Sequence, residues 1–251
     1  MKNPRFSQKT LDFLALAQKQ KKVEWLEKHQ EDYHSLVVSP MKALAEQVSA
    51  FMELELKNYK FKKRNIGNIK RPADRVKDKG PFKDFLTFGA DRDSGSRFED
   101  LPSLYFMISP REGEIFSAGG LYMSSHAQTK KIRQWIDANP KALMDLFKDK
   151  KFSKVYKTLG EDHKLKTKPR DYALDHPRIE WLKLTGFYVY RPIPKKEIFS
   201  PNFAEILIRD WREAIKFNNL LDDWLHTSPG QSSQKILEKP SFGLHPYDWE
   251  D

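Results

Sequence analysis

The chain has 251 residues, with 45 Lys and Arg against 35 Asp and Glu for a formal net charge of +10, and no cysteine. That length suffices for one large domain with a sizeable core, and an aromatic share of 13% adds buried area where the 39% hydrophobic share is modest. The lack of cysteine excludes a disulfide framework, a thiolate metal site and a cysteine nucleophile.

No apolar run approaches the ~20 residues of a membrane helix. Met1-Lys2-Asn3-Pro4-Arg5-Phe6 has no apolar stretch behind it, so no secretory signal is expected and the expected setting is cytoplasmic. The positive charge suits phosphate-rich partners. The lysines are scattered, however (Lys19, Lys57, Lys62, Lys130, Lys150), which equally suits a solvated surface.

In chain order, Ser7 is a candidate N-cap for a helix over 8–20, with Leu11, Leu14 and Ala15 at helical spacing. A second helix carries Val23, Trp25, Leu26, Tyr33 and Leu36. Pro40 opens a third through Leu56, with Leu44, Val48, Phe51 and Met52 in one stripe. The segments 85–88, 104–108 and 114–123 are short, aromatic and bounded by Gly, Pro, Ser and Asp, so they read as strands, with 90–100 as a loop. The connector 109–114, containing Pro110 and Gly113, is too short for a helical crossover and predicts an antiparallel hairpin of 104–108 with 115–123.

Helices are expected at 129–138 and 140–147, and a strand-like stretch at Phe152–Tyr156. A short helix opens at His176-Pro177, a last strand is Phe187–Tyr190, and a long amphipathic helix runs from Asn202 to about Trp224. Beyond Thr227 the chain turns polar and proline-punctuated. The expected architecture is therefore one α+β domain over 1–226, an antiparallel central sheet flanked by N- and C-terminal helices, with a polar tail at 227–251.

The candidate chemistry is cationic. Lys77, Lys79 and Lys83 surround Gly80-Pro81, a turn where side chains can converge, and Arg170 lies in a second turn-rich segment, 166–177. Together they predict a basic pocket for a small phosphate- or carboxylate-bearing molecule, arginine supplying a fork and lysine a point charge. Asp78 is a candidate acid/base inside that set, with a turn stapled by Asp78 ion pairs as the structural alternative. His176 is the other candidate catalytic group, since histidine titrates near neutral pH. Asp175 beside it equally suits a helix N-cap, leaving His176 to pack. His126, His163 and His176 show no metal-ligand spacing, so neither a metal nor a cofactor is expected. An enzymatic role is left open. The alternative class is a nucleic-acid-binding module using the lysines with exposed aromatics such as Tyr59, Phe61 and Tyr122.

Four stretches carry a resemblance over residues 6–215. They are Trp25-Leu26 with Tyr33 and Pro40; Lys77 to Lys83; Ala118-Gly119-Gly120-Leu121-Tyr122 with Ile132-Arg133; and Leu165-Lys166, Pro169 to Tyr172, Asp175-His176-Pro177 and Leu182-Lys183. In these the chain resembles the bacterial and fungal family catalogued as domain of unknown function 2461. The resemblance implies a shared fold and pocket but no mechanism, and it brings Lys166 and Arg133 into the ligand-binding set. Upstream of Lys77 the family pattern reads roughly Arg-Asp-x-Arg-Phe-Ser, whereas this chain has Arg71-Pro72-Ala73-Asp74-Arg75-Val76, and Asp171 stands where glycine is expected. No role therefore carries over to Arg71, Asp74 or Arg75.

Overall fold

Apolar residues at helical spacing build the N-terminal layer, and they do so in shorter pieces than the pattern alone suggests. The computed structural model describes residues 5–56, 59–61, 66–76, 79–92 and 101–229. Helix α1 (Gln8–Gln18) buries Leu11, Phe13, Leu14 and Ala17, and the Ser7 backbone N–H before it donates to Thr10 Oγ1 (3.1 Å). The expected second helix is split into α2 (Glu24–Lys28) and α3 (Gln30–Tyr33). A π-helical turn (His34–Val38) then runs into α4 (Ser39–Glu55), with Pro40 in its first turn, where a missing N–H costs nothing.

Among the described residues the sheet has five strands in the order of the sequence: β1 (Tyr59–Phe61), β2 (Leu86–Arg92), β3 (Ser103–Ile108), β4 (Phe116–Leu121) and β5 (Phe187–Pro192). Every neighbouring pair is antiparallel, and the expected hairpin is β3–β4, with Tyr105 opposite Ala118. The register fixes two ends. Leu86, Ile108, Phe116 and Pro192 share one, and Arg92, Ser103, Leu121 and Phe187 share the other. At about 3.3 Å per residue, strands of this length hold those ends roughly 20 Å apart.

Between β4 and β5 lie α5 (His126–Ala138), α6 (Lys141–Lys148), α7 (Lys150–Val155) and α8 (Ile179–Leu182). The strand expected at Phe152–Tyr156 is the helix α7. Asp149 caps it by accepting the Phe152 N–H (2.7 Å), and Phe152, Val155 and Tyr156 are buried at helical spacing. The short helix expected from His176 begins at Ile179.

After α9 (Lys195–Ile198), the long helix α10 (Phe203–His226) lies along β4. Gly119 is required there, because a Cβ would stand 2.7 Å from the Ala214 Cβ. Trp135 of α5 stacks on Trp224 (5.7 Å, 3°) and donates to its carbonyl (3.2 Å), which fixes α5 to α10. Residues 230–251 of the expected tail lie outside the described residues. Among the described residues no helix is long and apolar enough to cross a membrane.

Candidate functional site

The two faces of the sheet differ. Phe88, Ala90, Leu104, Phe106, Leu121, Phe187 and Val189 point to the helices and are buried. Ser117 and Arg191 point the same way and meet the fully buried Asp210 of α10. The other face carries Thr87, Tyr105, Met107, Phe116, Ala118, Tyr188 and Tyr190, by the alternation of the same registers. An antiparallel sheet can leave one face to solvent, but such a face is normally polar. This one is aromatic, with Tyr105 37% exposed, Tyr190 40% and neighbouring Tyr122 56%.

The rings touch in sequence. Tyr105 meets Phe116 (6.0 Å between centroids), Phe116 meets Tyr190 (6.3 Å), and Tyr190 meets Tyr188 (6.2 Å). Tyr188 meets Tyr122 (5.2 Å), and Tyr122 meets His163 edge to face (4.4 Å). Ala118, directly opposite both Tyr105 and Tyr190, floors the gap between these two rings. Two strand spacings put that gap at about 10 Å. Burial, with a smaller effect of Tyr122, pushes the Tyr105 hydroxyl up. Burial, followed by the hydrogen bond and charge of Asp162, does the same for Tyr188. The phenols are therefore neutral hydrogen-bonding groups on a stacking surface.

The segment 159–164 walls the belt along the outer edge of β5. Leu159 bridges Val189, the Gly160 N–H donates to the Tyr188 carbonyl (2.8 Å), and the Tyr188 hydroxyl donates to Asp162 Oδ2 (2.7 Å). Glu180 of α8 anchors the wall by accepting ion pairs from Lys164 (2.6 Å) and Lys183 (2.9 Å). The Lys164 bond, then that of Lys183, lowers the Glu180 carboxyl from 4.5 to about 2. A depressed carboxylate pKa contributes stability above the unfolded value and loses it as pH falls through the folded one. The stability gap between wild type and Glu180→Gln, read from urea midpoints, should therefore close as pH falls from 4.5 to about 2. A gap that stays constant through that window would deny Glu180 this role.

A second feature lies off the end of β2. Residues 69–71 and 81–83 form a short antiparallel ladder, with Lys70 bridging Phe82, the Lys83 N–H donating to the Ile69 carbonyl (2.8 Å) and the Arg71 N–H to the Pro81 carbonyl (2.8 Å). Phe82 is buried against Trp25 (5.9 Å). Lys83 is half-buried with its Nζ 5.5 Å from the Phe85 ring centroid, and burial, then the positive charge of Arg71, lowers its ammonium pKa.

The family model described as Conserved hypothetical protein (DUF2461) matches residues 9–219. The chain belongs to the DUF2461 family. No curated protein matches it, and no solved structure does.

In this DUF2461 protein the cations singled out from the sequence fall into two groups. Lys79 and Lys83 precede β2 at one end of the sheet, and Lys79 is exposed. Arg133 and His176 lie toward the other end, where the Arg133 guanidinium donates to the Leu184 carbonyl (3.1 Å), three residues before β5. Arg170 and Lys166 are exposed on the segment joined to that group. The structure thus does not bring the two segments to one pocket, because β2 and β5 are three strands apart and start from opposite ends. Lys77 and Asp78 lie outside the described residues.

Both nitrogens of His176 are engaged. Nδ1 accepts the Arg178 N–H (3.1 Å), which leaves the proton on Nε2 to donate to Asp137 (3.0 Å). Arg178 caps the end of α5 through the carbonyls of Ile136 and Asp137 (both 2.7 Å). In this geometry His176 docks the 166–178 segment onto α5.

Of the expected exposed aromatics, Tyr122 is exposed, but Tyr59 is buried, accepting from Asn218 Nδ2 (3.1 Å). The Phe61 side chain lies outside the described residues. The residues missed from sequence are Tyr105, Phe116, Tyr188, Tyr190 and Arg71. Tyr188 and Tyr190 carried one signal, aromatic residues two apart on a strand, whereas Tyr105, Phe116 and Arg71 carried none of that kind.

Proposed function

We propose that this protein binds single-stranded nucleic acid on the open face of its sheet, with bases stacking along the tyrosine belt. The observation that carries the reading is the continuous run of rings from Tyr105 to His163 on the face of the sheet turned away from α10, with Tyr105, Tyr122 and Tyr190 exposed among the described residues. Every base has a flat π-face, so stacking on tyrosine is tolerant of sequence and contributes about 1–3 kcal/mol per base. A duplex hides those faces. The net charge of +10 supplies the long-range attraction that a polyanion needs and a neutral partner does not. A small-anion pocket spanning both basic segments has less support, since its cations stand at opposite ends of the sheet.

The test is fluorescence anisotropy with labelled single-stranded DNA and RNA 20-mers and the corresponding duplexes, over a range of salt. Single strands should bind more tightly than duplexes, and binding should weaken as salt rises. Tyr105→Ala and Tyr190→Ala should each weaken it on the order of 5- to 100-fold, the equivalent of one lost stacking contact. Both side chains are partly exposed, so these variants should remain folded by circular dichroism. Binding unaffected by either substitution, or no binding at low salt, would overturn the proposal. So would sedimentation showing a dimer that Tyr190→Glu dissociates, because the face would then join two copies of the chain.

A further inference from the structure

We infer that Lys83 and Arg71 form a phosphate site, which, on the reading of the open face given above, grips the backbone of the strand whose bases lie on the belt. The ladder register carries the argument. Lys83 stands opposite Ile69, so Arg71, two residues further on, is its diagonal neighbour. Diagonal side chains on an antiparallel pair sit about 7–8 Å apart, close enough for long ones to meet.

Like charges placed there repel each other, and the geometry keeps them together. Gly80, at φ +71°, leads into the second strand of the ladder, and the buried Phe82 anchors that strand. Among the described residues no acid answers either cation. The nearest carboxylate in sequence, Asp84, is 2% exposed and committed to Arg111 (2.9 Å). Arg71 spends its Nε on the Phe82 carbonyl (3.2 Å) and retains the guanidinium nitrogens. Phe85 under the ammonium accounts for the position of Lys83 but not for a second cation beside it. What suits the pair is an anion with several oxygens: the ammonium gives a point charge and the guanidinium a fork.

The position fits a nucleic-acid backbone. Carried back from Leu86, the strand alternation puts Phe85 on the open side, in line with Thr87 and the Tyr105 end of the belt. Lys83 is four positions before Thr87, so at most about 14 Å of chain lies between them.

Two measurements test the inference separately from the function. Inorganic pyrophosphate, titrated at low salt into isotope-labelled protein, should shift the amide resonances of Lys83 and Phe85 saturably. The shift should be lost in Lys83→Gln with Arg71→Gln. Failure to see it overturns the site whatever oligonucleotides do. Pyrophosphate binding without any oligonucleotide binding keeps the site and sinks the nucleic-acid reading. With single strands bound, Lys83→Gln should lower the slope of log affinity against log salt by about 0.7, one phosphate contact. Tyr190→Ala should reduce affinity with the slope unchanged. A slope unchanged in Lys83→Gln and in Arg71→Gln removes these two residues from the backbone contact.

Discussion

Replacing Arg191 by methionine should lower the unfolding free energy by about 3–5 kcal/mol, the usual consequence of leaving one member of a buried ion pair behind. Asp210, two turns into α10, is 0% exposed, and it is held from three sides. Its Oδ2 accepts from Ser117 Oγ (3.0 Å) and from Arg191 Nε (2.6 Å), a terminal nitrogen of Arg191 adds an ion-pair contact at 2.6 Å, and Oδ1 accepts from the exposed Arg209 (3.1 Å). Arg191 also reaches Glu197 (2.9 Å). Without Arg191 the carboxylate keeps one neutral hydroxyl and one solvent-screened guanidinium, too little to replace its hydration. The double variant Arg191→Met with Asp210→Leu should recover much of the loss, because an apolar pair of similar volume needs no such compensation. Urea unfolding of the two single variants and the double variant decides it. A single-variant loss under about 1 kcal/mol would place the pair with surface salt bridges. The network matters to the opposite face because it fixes β4 and β5 on α10, and thereby the register that lines up Ala118 with Tyr190.

The sequence disclosed the parts of the fold that local chemistry decides. Apolar stripes gave α1, α4 and α10, and Pro110 and Gly113 marked the β3–β4 hairpin. The helix α7 was misread as a strand because Phe152, Val155 and Tyr156 are equally at home in either. The deciding signal was Asp149 three residues before Phe152, a capping interval. The open face was legible only as apolar strands. Phe116, Ala118, Tyr188 and Tyr190 on one side alternate with Gly119, Leu121, Phe187 and Val189 on the other, and strands largely apolar on both sides read as covered on both. Nothing local says that the helices take one side alone. The Lys83–Arg71 pair depends on a ladder between segments 12 residues apart, and the separation of Lys83 from Arg133 and His176 depends on strand order. Composition places cations in turns but does not say at which end of a sheet each turn lies.

Gly160→Ala should act on the open face of the sheet through Tyr188 rather than through the backbone. A Cβ on Gly160 would stand 2.1 Å from two carbons of the Tyr188 ring and 2.5 Å from its hydroxyl oxygen, far inside contact distance. The ring cannot yield easily: Tyr188 is 5% exposed, its hydroxyl is tied to Asp162 and its flank is covered by Tyr122. Nor can the wall, since Gly160 N–H donates to the Tyr188 carbonyl and Leu159 bridges Val189. Overpacking of this kind typically costs about 1–3 kcal/mol, and whichever side moves, Tyr188 loses its place between Tyr122 and Tyr190. On the proposed function, oligonucleotide affinity should therefore fall although Gly160 lies beside the belt and not in it. The check is a double-mutant cycle in urea. In a Tyr188→Ala background the methyl group has no ring to meet, so Gly160→Ala should cost far less there than in wild type, a coupling of the size expected for residues in contact, about 0.5–3 kcal/mol. Additive losses would mean that the methyl group strains the 159–164 backbone itself, and that Tyr188 is not what Gly160 positions.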